Sequence, residues 1–370
     1  MTNTHLTEQQ IAELTAKAHA IANPSPPEVK TKTWCFGQFQ VEMPEEMSPF
    51  VTTDYTKDFA QKTIFVLGEH GGEWKYRYAN IILPNETMTH DVFVKKMKAR
   101  EDELKKSPNN EGGFMFVESN QPDENTRVIV RWQTNLGKIM VTTEGYKWVD
   151  GKVIHLDAEA DDDHIKESAQ DMVERLEILR SRKSDEIPNQ KGFCVPDGIF
   201  VEGEARNGQI VLDFMFPGRD DVAFVFDIGK ISKIDGPSLL NRVGGMMSKI
   251  GPEAHRVKTI RKEKRSIPGY PNGEEWMISA PGIDGTRDFS FIWEGDSDGT
   301  NEHPVVRVEL TTGNFGKPSS MNEIEAIALW DRVLNTFKVR VVDPKTAQAQ
   351  NLFPKSIAGG EKREEVRVQP

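Results

Sequence analysis

The sequence predicts an α+β protein of two similar domains, each a mainly antiparallel sheet with helices packed on one face. Three observations predict it. At 370 residues the chain is too long for one comfortable hydrophobic core, so two domains are the natural division. Two stretches, "WCFGQFQVEMP" from Trp34 and "GFCVPDGIFVEG" from Gly192, repeat one order of parts: an aromatic, a cysteine, a glycine and alternating apolar residues. Helices follow runs of strands without strict alternation, as in α+β halves. Residue identity between the halves is low, so the repeat is one of order.

The elements follow in turn. Residues 6–22 carry Leu6, Ile11, Leu14, Ala18 and Ile21 on one helical stripe. "NPSPPE" forces an extended linker, because successive prolines cannot propagate a helix. A first strand spans 34–43, with Gly37 allowing a bulge and Pro44 ending it. Residues 62–83 read as a hairpin turning near His70, Gly71 and Gly72, and 85–106 as a helix. Strands follow at 114–119, 126–134 and 137–148. A helix then runs over 161–182, with aspartates at its positive end and arginines at its negative end.

Residues 183–192 are polar, contain a proline and read as a domain boundary. The plan then restarts with a strand over 193–201 and further strands at 208–216 and 221–229. Residues 236–251 read as a helix weakened by Gly244 and Gly245. Strands at 255–267, 274–281, 289–295 and 304–313 precede a closing helix at 320–337, with Ser320 as N-cap and Glu323 as its capping-box partner. The division is therefore 1–30 (helix and linker), 31–183, 190–341 and a polar tail, 342–370.

The formal charge of −11 argues against nucleic acid or anionic membrane as a main partner. No apolar run reaches the ~18–20 residues that cross a bilayer. The first residues have neither a basic start nor an apolar segment of the secretory kind. Two cysteines make neither a disulfide framework nor a metal site. One bridge in an oxidising compartment is open to them. The preferred reading is two buried thiols, Cys35 and Cys194, in equivalent places of two domains and both reduced.

Catalytic motifs are missing. There is no G-x-S-x-G, P-loop or G-x-G-x-x-G, and none of the eight histidines stands at metal-ligand spacing. No catalytic, cofactor or metal residue is assigned. "DAEADDDH" (157–164) reads as a strand exit and helix N-cap in preference to a cation site. "EGDSDGTNEH" (294–303) resembles a calcium loop through Asp296, Asp298 and Asn301. It lacks the twelfth-position glutamate and flanking helices, so a solvated hairpin loop is preferred. "HRVKTIRKEKRS" (255–266) is strongly basic. It reads first as an edge strand protected by its lysines, and second as a patch steering an acidic protein partner.

"WCFGQFQVEMPEEM", "GFCVPDGIFVEG" and the tail "PGYPNGEEWMISAP … FSFIWEGD … HPVVRVELTTG … MNEIEAIALWDRVLNTFKVR" together resemble the type VI secretion lipase immunity proteins of two-domain type, over residues 31–340. The resemblance implies a protein that binds a cognate phospholipase effector, 1:1, and inhibits it sterically, without catalysis or cofactor. It implies a periplasmic location if a leader was removed; a chain complete as written would be cytoplasmic. The family offers no shared contact motif, so contacts are expected in loops of the second half: Asp284 and Arg287, and Asp296, Asp298 and Asn301. Two other classes stay open, an enzyme without a local motif and a calcium-dependent surface module.

Overall fold

The computed structural model describes residues 29–49, 80–133, 136–195, 198–203, 210–229, 236–249, 251–298, 300 and 303–343. The helix expected at 6–22, the turn near His70 and most of the tail lie outside these residues.

The expected strand at 34–43 is a hairpin. β1 (Thr31–Phe36) and β2 (Phe39–Pro44) pair with Phe36 opposite Phe39. The chain reverses at Gly37, whose φ of +57° is left-handed and suits glycine. β3 (Ser48–Pro49), β4 (Asn80–Thr87), α1 (His90–Leu104), β5 (Phe116–Asn120), β6 (Thr126–Trp132) and β7 (Met140–Val149) follow. β8 (Lys152–Asp161) contains the strand exit read at 157–164, although no strand was assigned before it. The helix predicted over 161–182 is shorter: α2 covers Ile165–Glu177, and β9 (Leu179–Ser181) takes its last turn.

The second half repeats the first. The expected strand at 193–201 is again a hairpin, β10 (Gly192–Val195) with β11 (Ile199–Glu202), turning through Gly198 at φ +77°. β12 (Ile210–Phe216), β13 (Arg219–Gly229), α3 (Leu239–Lys249), β14 (Lys258–Lys264), β15 (Glu274–Pro281), β16 (Arg287–Gly295), β17 (Val305–Thr311), α4 (Glu323–Thr336) and β18 (Lys338–Val339) complete it. The first half's sheet runs β4-β8-β7-β6-β5. Its counterpart contains β13-β17-β16-β15-β14, extended beyond β13 by β12 and β3. The two orders match strand for strand.

Every described strand pairing is antiparallel, so the α+β class holds. The helices, expected on one face, lie on both. Tyr146 packs with Phe93 and Met97 of α1, whereas a Cβ at Gly145 would meet Met172 of α2. Successive strand residues face opposite ways, so the two helices sandwich the sheet. In the second half α3 covers Trp276 and Ile292, while Trp330 of α4 meets Phe291 edge-on at 5.9 Å.

The hairpins cross between the halves. β2 pairs with β18 from the end of the second half, and β11 pairs with β9 from the end of the first half. Each hairpin thus receives its third strand from the other half's closing segment. Phe36 and Phe39 stack on Phe337 at 6.2 and 5.0 Å, and β3 pairs with β12. The hairpins also meet each other: Gly37 and Cys194 exchange backbone hydrogen bonds of 2.7 and 2.8 Å. Cys35 and Cys194 are joined in a disulfide, Cα–Cα 5.6 Å. The expectation of two reduced thiols is therefore corrected. It assumed that each hairpin stays on its own half, and the crossing brings the two penultimate strand residues together.

Two arginines close the junction in matching ways. Arg182, just after β9, donates to the carbonyls of Cys35, Val195 and Ile199 at 3.1–3.2 Å. Arg340, just after β18, donates to the carbonyls of Pro188, Gln190 and Gly192. Burial lowers both guanidiniums to about 10, so they stay charged at neutral pH. Carbonyl dipoles compensate the desolvation.

Candidate partner interface

Asp284 and Arg287 border the β15–β16 turn. Asp284 has a φ of +55° within the short turn Ile283–Gly285. Arg287 is engaged by its own hairpin and by the segment before β14: it donates to Ser279 Oγ (3.0 Å) and Ser279 O (2.7 Å), and to Arg256 O (3.2 Å). Asp296 and Asp298 lie past the other end of β16. Eight residue steps along that strand put the two loops about 27 Å apart. They do not form one site. Asp296 accepts from Asn272 Nδ2 at 3.1 Å. Asp298 accepts from the backbone and hydroxyl of Thr300 at 2.9 and 2.6 Å, and these bonds lower its carboxyl pKa. Asn301 lies outside the described residues. Among the described residues no group of three or more His, Cys, Asp or Glu is placed to hold a metal ion.

Buried carboxylates rigidify each sheet. Glu144 on β7 accepts from Arg100 Nη2 (2.7 Å), Arg131 Nε (2.5 Å) and the Tyr146 hydroxyl (2.9 Å). Burial pushes its pKa up, but the two arginines outweigh burial and hold it at about 2. His155 stacks on Tyr146 at 4.3 Å, and burial lowers it to about 4, so it is neutral at pH 7. In the second half Glu275, fully buried, accepts from Arg261 (3.1 Å), Arg265 (2.5 Å) and Trp330 Nε1 (2.6 Å). The basic stretch is β14, an edge strand with a register shift between Thr259 and Arg261. Arg261 and Arg265 also bond Asp331, and Lys258 bonds Glu323. Much of its charge thus holds α4 against the sheet.

The sheet ends differ in character. The β7–β8 turn touches the hairpin junction, where Asp150 accepts from Ser181 at 2.5 Å. In the second half Tyr270, in the β14–β15 turn, packs 6.1 Å from Phe39. The opposite ends are free of the junction and expose apolar side chains. In the first half these are Phe114, Leu136 and Ile139; in the second, Ile283 and Ile324. The β6–β7 and β15–β16 loops occupy corresponding places in the matched strand orders, so the Asp284 loop is the counterpart of the Leu136–Ile139 loop. Sequence reasoning missed the first-half loop. Its signal is apolar residues inside glycine-marked turns, "EGGF" and "NLGKI".

Residues 186–342 match the family model described as Tle cognate immunity protein 4 C-terminal domain. No curated protein sequence matches the chain. Among solved structures, the immunity protein TplEi of the type VI secretion system from Pseudomonas aeruginosa, in its apo form, is similar in fold at TM-score 0.69 and 20% identity. That match covers 85% of this chain and 98% of that chain. A chain from the Tle4–Tli4 complex gives TM-score 0.66 and 21% identity over 85% of this chain and 98% of that one. TplEi complexed with an "L" peptide gives 0.63 and 20% over 84% and 99%.

Proposed function

We propose that the chain is a type VI secretion lipase immunity protein, as the match of residues 186–342 to that family's C-terminal domain supports, and that it binds a cognate phospholipase effector and blocks it sterically, sparing the producing cell. The family match carries the reading. Agreement in fold over 85% of the chain with an immunity protein supports extending it to the first half. On this reading the chain is an inhibitor without catalysis of its own, and the complex is 1:1.

The division into units 31–183 and 190–341 is part of the proposal, as are the loops of Asp284, Arg287, Asp296, Asp298 and Asn301 as contacts. So is a periplasmic site of action. A disulfide joining the two hairpins supports an oxidising compartment, because thiols stay reduced in the cytosol. No described helix is long and apolar enough to cross a membrane.

The test is titration of the lipase encoded beside this chain with the purified protein. Phospholipase activity is expected to fall in proportion to added chain and to vanish at equivalence, with one co-eluting complex on gel filtration. Full lipase activity beside an excess of folded chain would sink the proposal.

A further inference from the structure

At the free end of the first sheet, two loops lock into one rigid platform. Asn109, 6% exposed, donates its N–H to Gly113 O (3.0 Å) and its Nδ2 to Gly137 O (3.3 Å), and its Oδ1 accepts from Glu111 N (2.9 Å). Glu111 in turn accepts from Lys138 N at 3.1 Å. Gly112, Gly113 and Gly137 have φ of +89°, +75° and +61°, a left-handed path that other residues rarely follow. From this platform Phe114, Leu136 and Ile139 stand 56, 45 and 60% exposed. Ile139 O accepts from Asp162 N at 3.3 Å, which sets the exposed acids Asp162 and Asp163 beside the apolar side chains.

We propose that Phe114, Leu136 and Ile139 form an apolar knob with an acidic flank, Asp162 and Asp163, that docks into an apolar socket with a basic lip on the cognate lipase. The inference rests on the reading of the chain as a lipase inhibitor. An apolar centre with acids along one edge and Lys138 between Leu136 and Ile139 selects a partner with the complementary pattern. A second copy of this chain fits less well, because two chains of net charge −11 repel one another. A lipase fits, because it must keep an apolar mouth open to acyl chains. The platform is built before binding, so little ordering entropy is lost when the knob enters, and exposed aromatic and aliphatic anchors of this kind dominate binding energy.

The experiment measures affinity between the full chain and the lipase encoded beside it, by calorimetry, for the natural chain, F114A/I139A and D162K/D163K. F114A/I139A is expected to weaken binding about 100-fold with an unchanged melting curve, since both side chains are exposed. D162K/D163K is expected to weaken binding about tenfold and to flatten the dependence of affinity on salt. If F114A/I139A melts early, D162K/D163K decides alone. Binding by both variants within twofold of the natural chain overturns the inference while leaving the proposed function standing. Absence of binding by the natural chain overturns both. A dimer of the chain alone that F114A/I139A converts to monomer assigns the knob to a second copy and overturns the inference.

Discussion

Two carboxylates show how burial is settled by neighbours. Glu144 is surrounded by cations; Asp213 is not. Asp213 lies on β12 in the row of Val225 and Glu309. Burial first, and Glu309 second, raise its pKa from 3.8 to about 6. A raised folded-state pKa means stability that is complete below the unfolded value and lost as pH climbs through 6. Glu144, held at about 2, behaves oppositely: its contribution is complete above 4.5 and lost as pH falls toward 2. Denaturant titrations from pH 3 to 7.5 should therefore find D213N more stable than the natural chain at pH 7, by on the order of 1 kcal/mol after solvent screening. The difference should close near pH 4. A gap independent of pH would assign the effect to packing. Neither role was legible in the sequence, where both residues are ordinary acids in strands and the deciding partner comes from a distant segment.

The elements were the legible part, and the misreadings have local causes. β15 spans the expected residues because its apolar alternation is bounded by Gly273 and Pro281. The hairpins were read as single strands because their turns are short, so apolar alternation runs on through them. α4 was given Ser320 and Glu323 as its cap. The cap is two residues later: Asn322 Oδ1 accepts from Glu325 N and Glu325 accepts from Asn322 N, both at 3.0 Å. Ser320 is occupied elsewhere, its N–H by Asp221 and its hydroxyl by Arg219. The aspartates before α2 make no side-chain cap, and Asp161 instead bonds His164. Because α4 buries Trp330, Leu329 and Leu334, N322A is expected to cost about 1 kcal/mol of global stability, readable as a lower denaturation midpoint. N322D should lose little.

At the scale of the molecule the legible feature was the repeat, and the illegible one was its crossing. "WCF" and "GFC" announced matching beginnings, but pairing partners for β2 and β11 are set by sequence-distant segments that no local pattern identifies. The Cys35–Cys194 link spans 159 residues, and loop-closure entropy gives it an upper scale of about 5 kcal/mol. C35S/C194S should melt earlier by an amount the fully reduced natural chain reproduces. Brief reductant on the folded protein should change little, since both sulfurs are shielded. The crossing also governs the order in which the protein can be completed. Glu42 donates its N–H to Thr336, 294 residues away, and β2 waits for β18. During synthesis the first hairpin emerges long before its last partner, with Phe39, Val41 and Met43 uncovered. Such non-local closure is slow and exposes aggregation-prone strands. The edge of the newborn first hairpin therefore stays open until Lys338 and Val339 arrive.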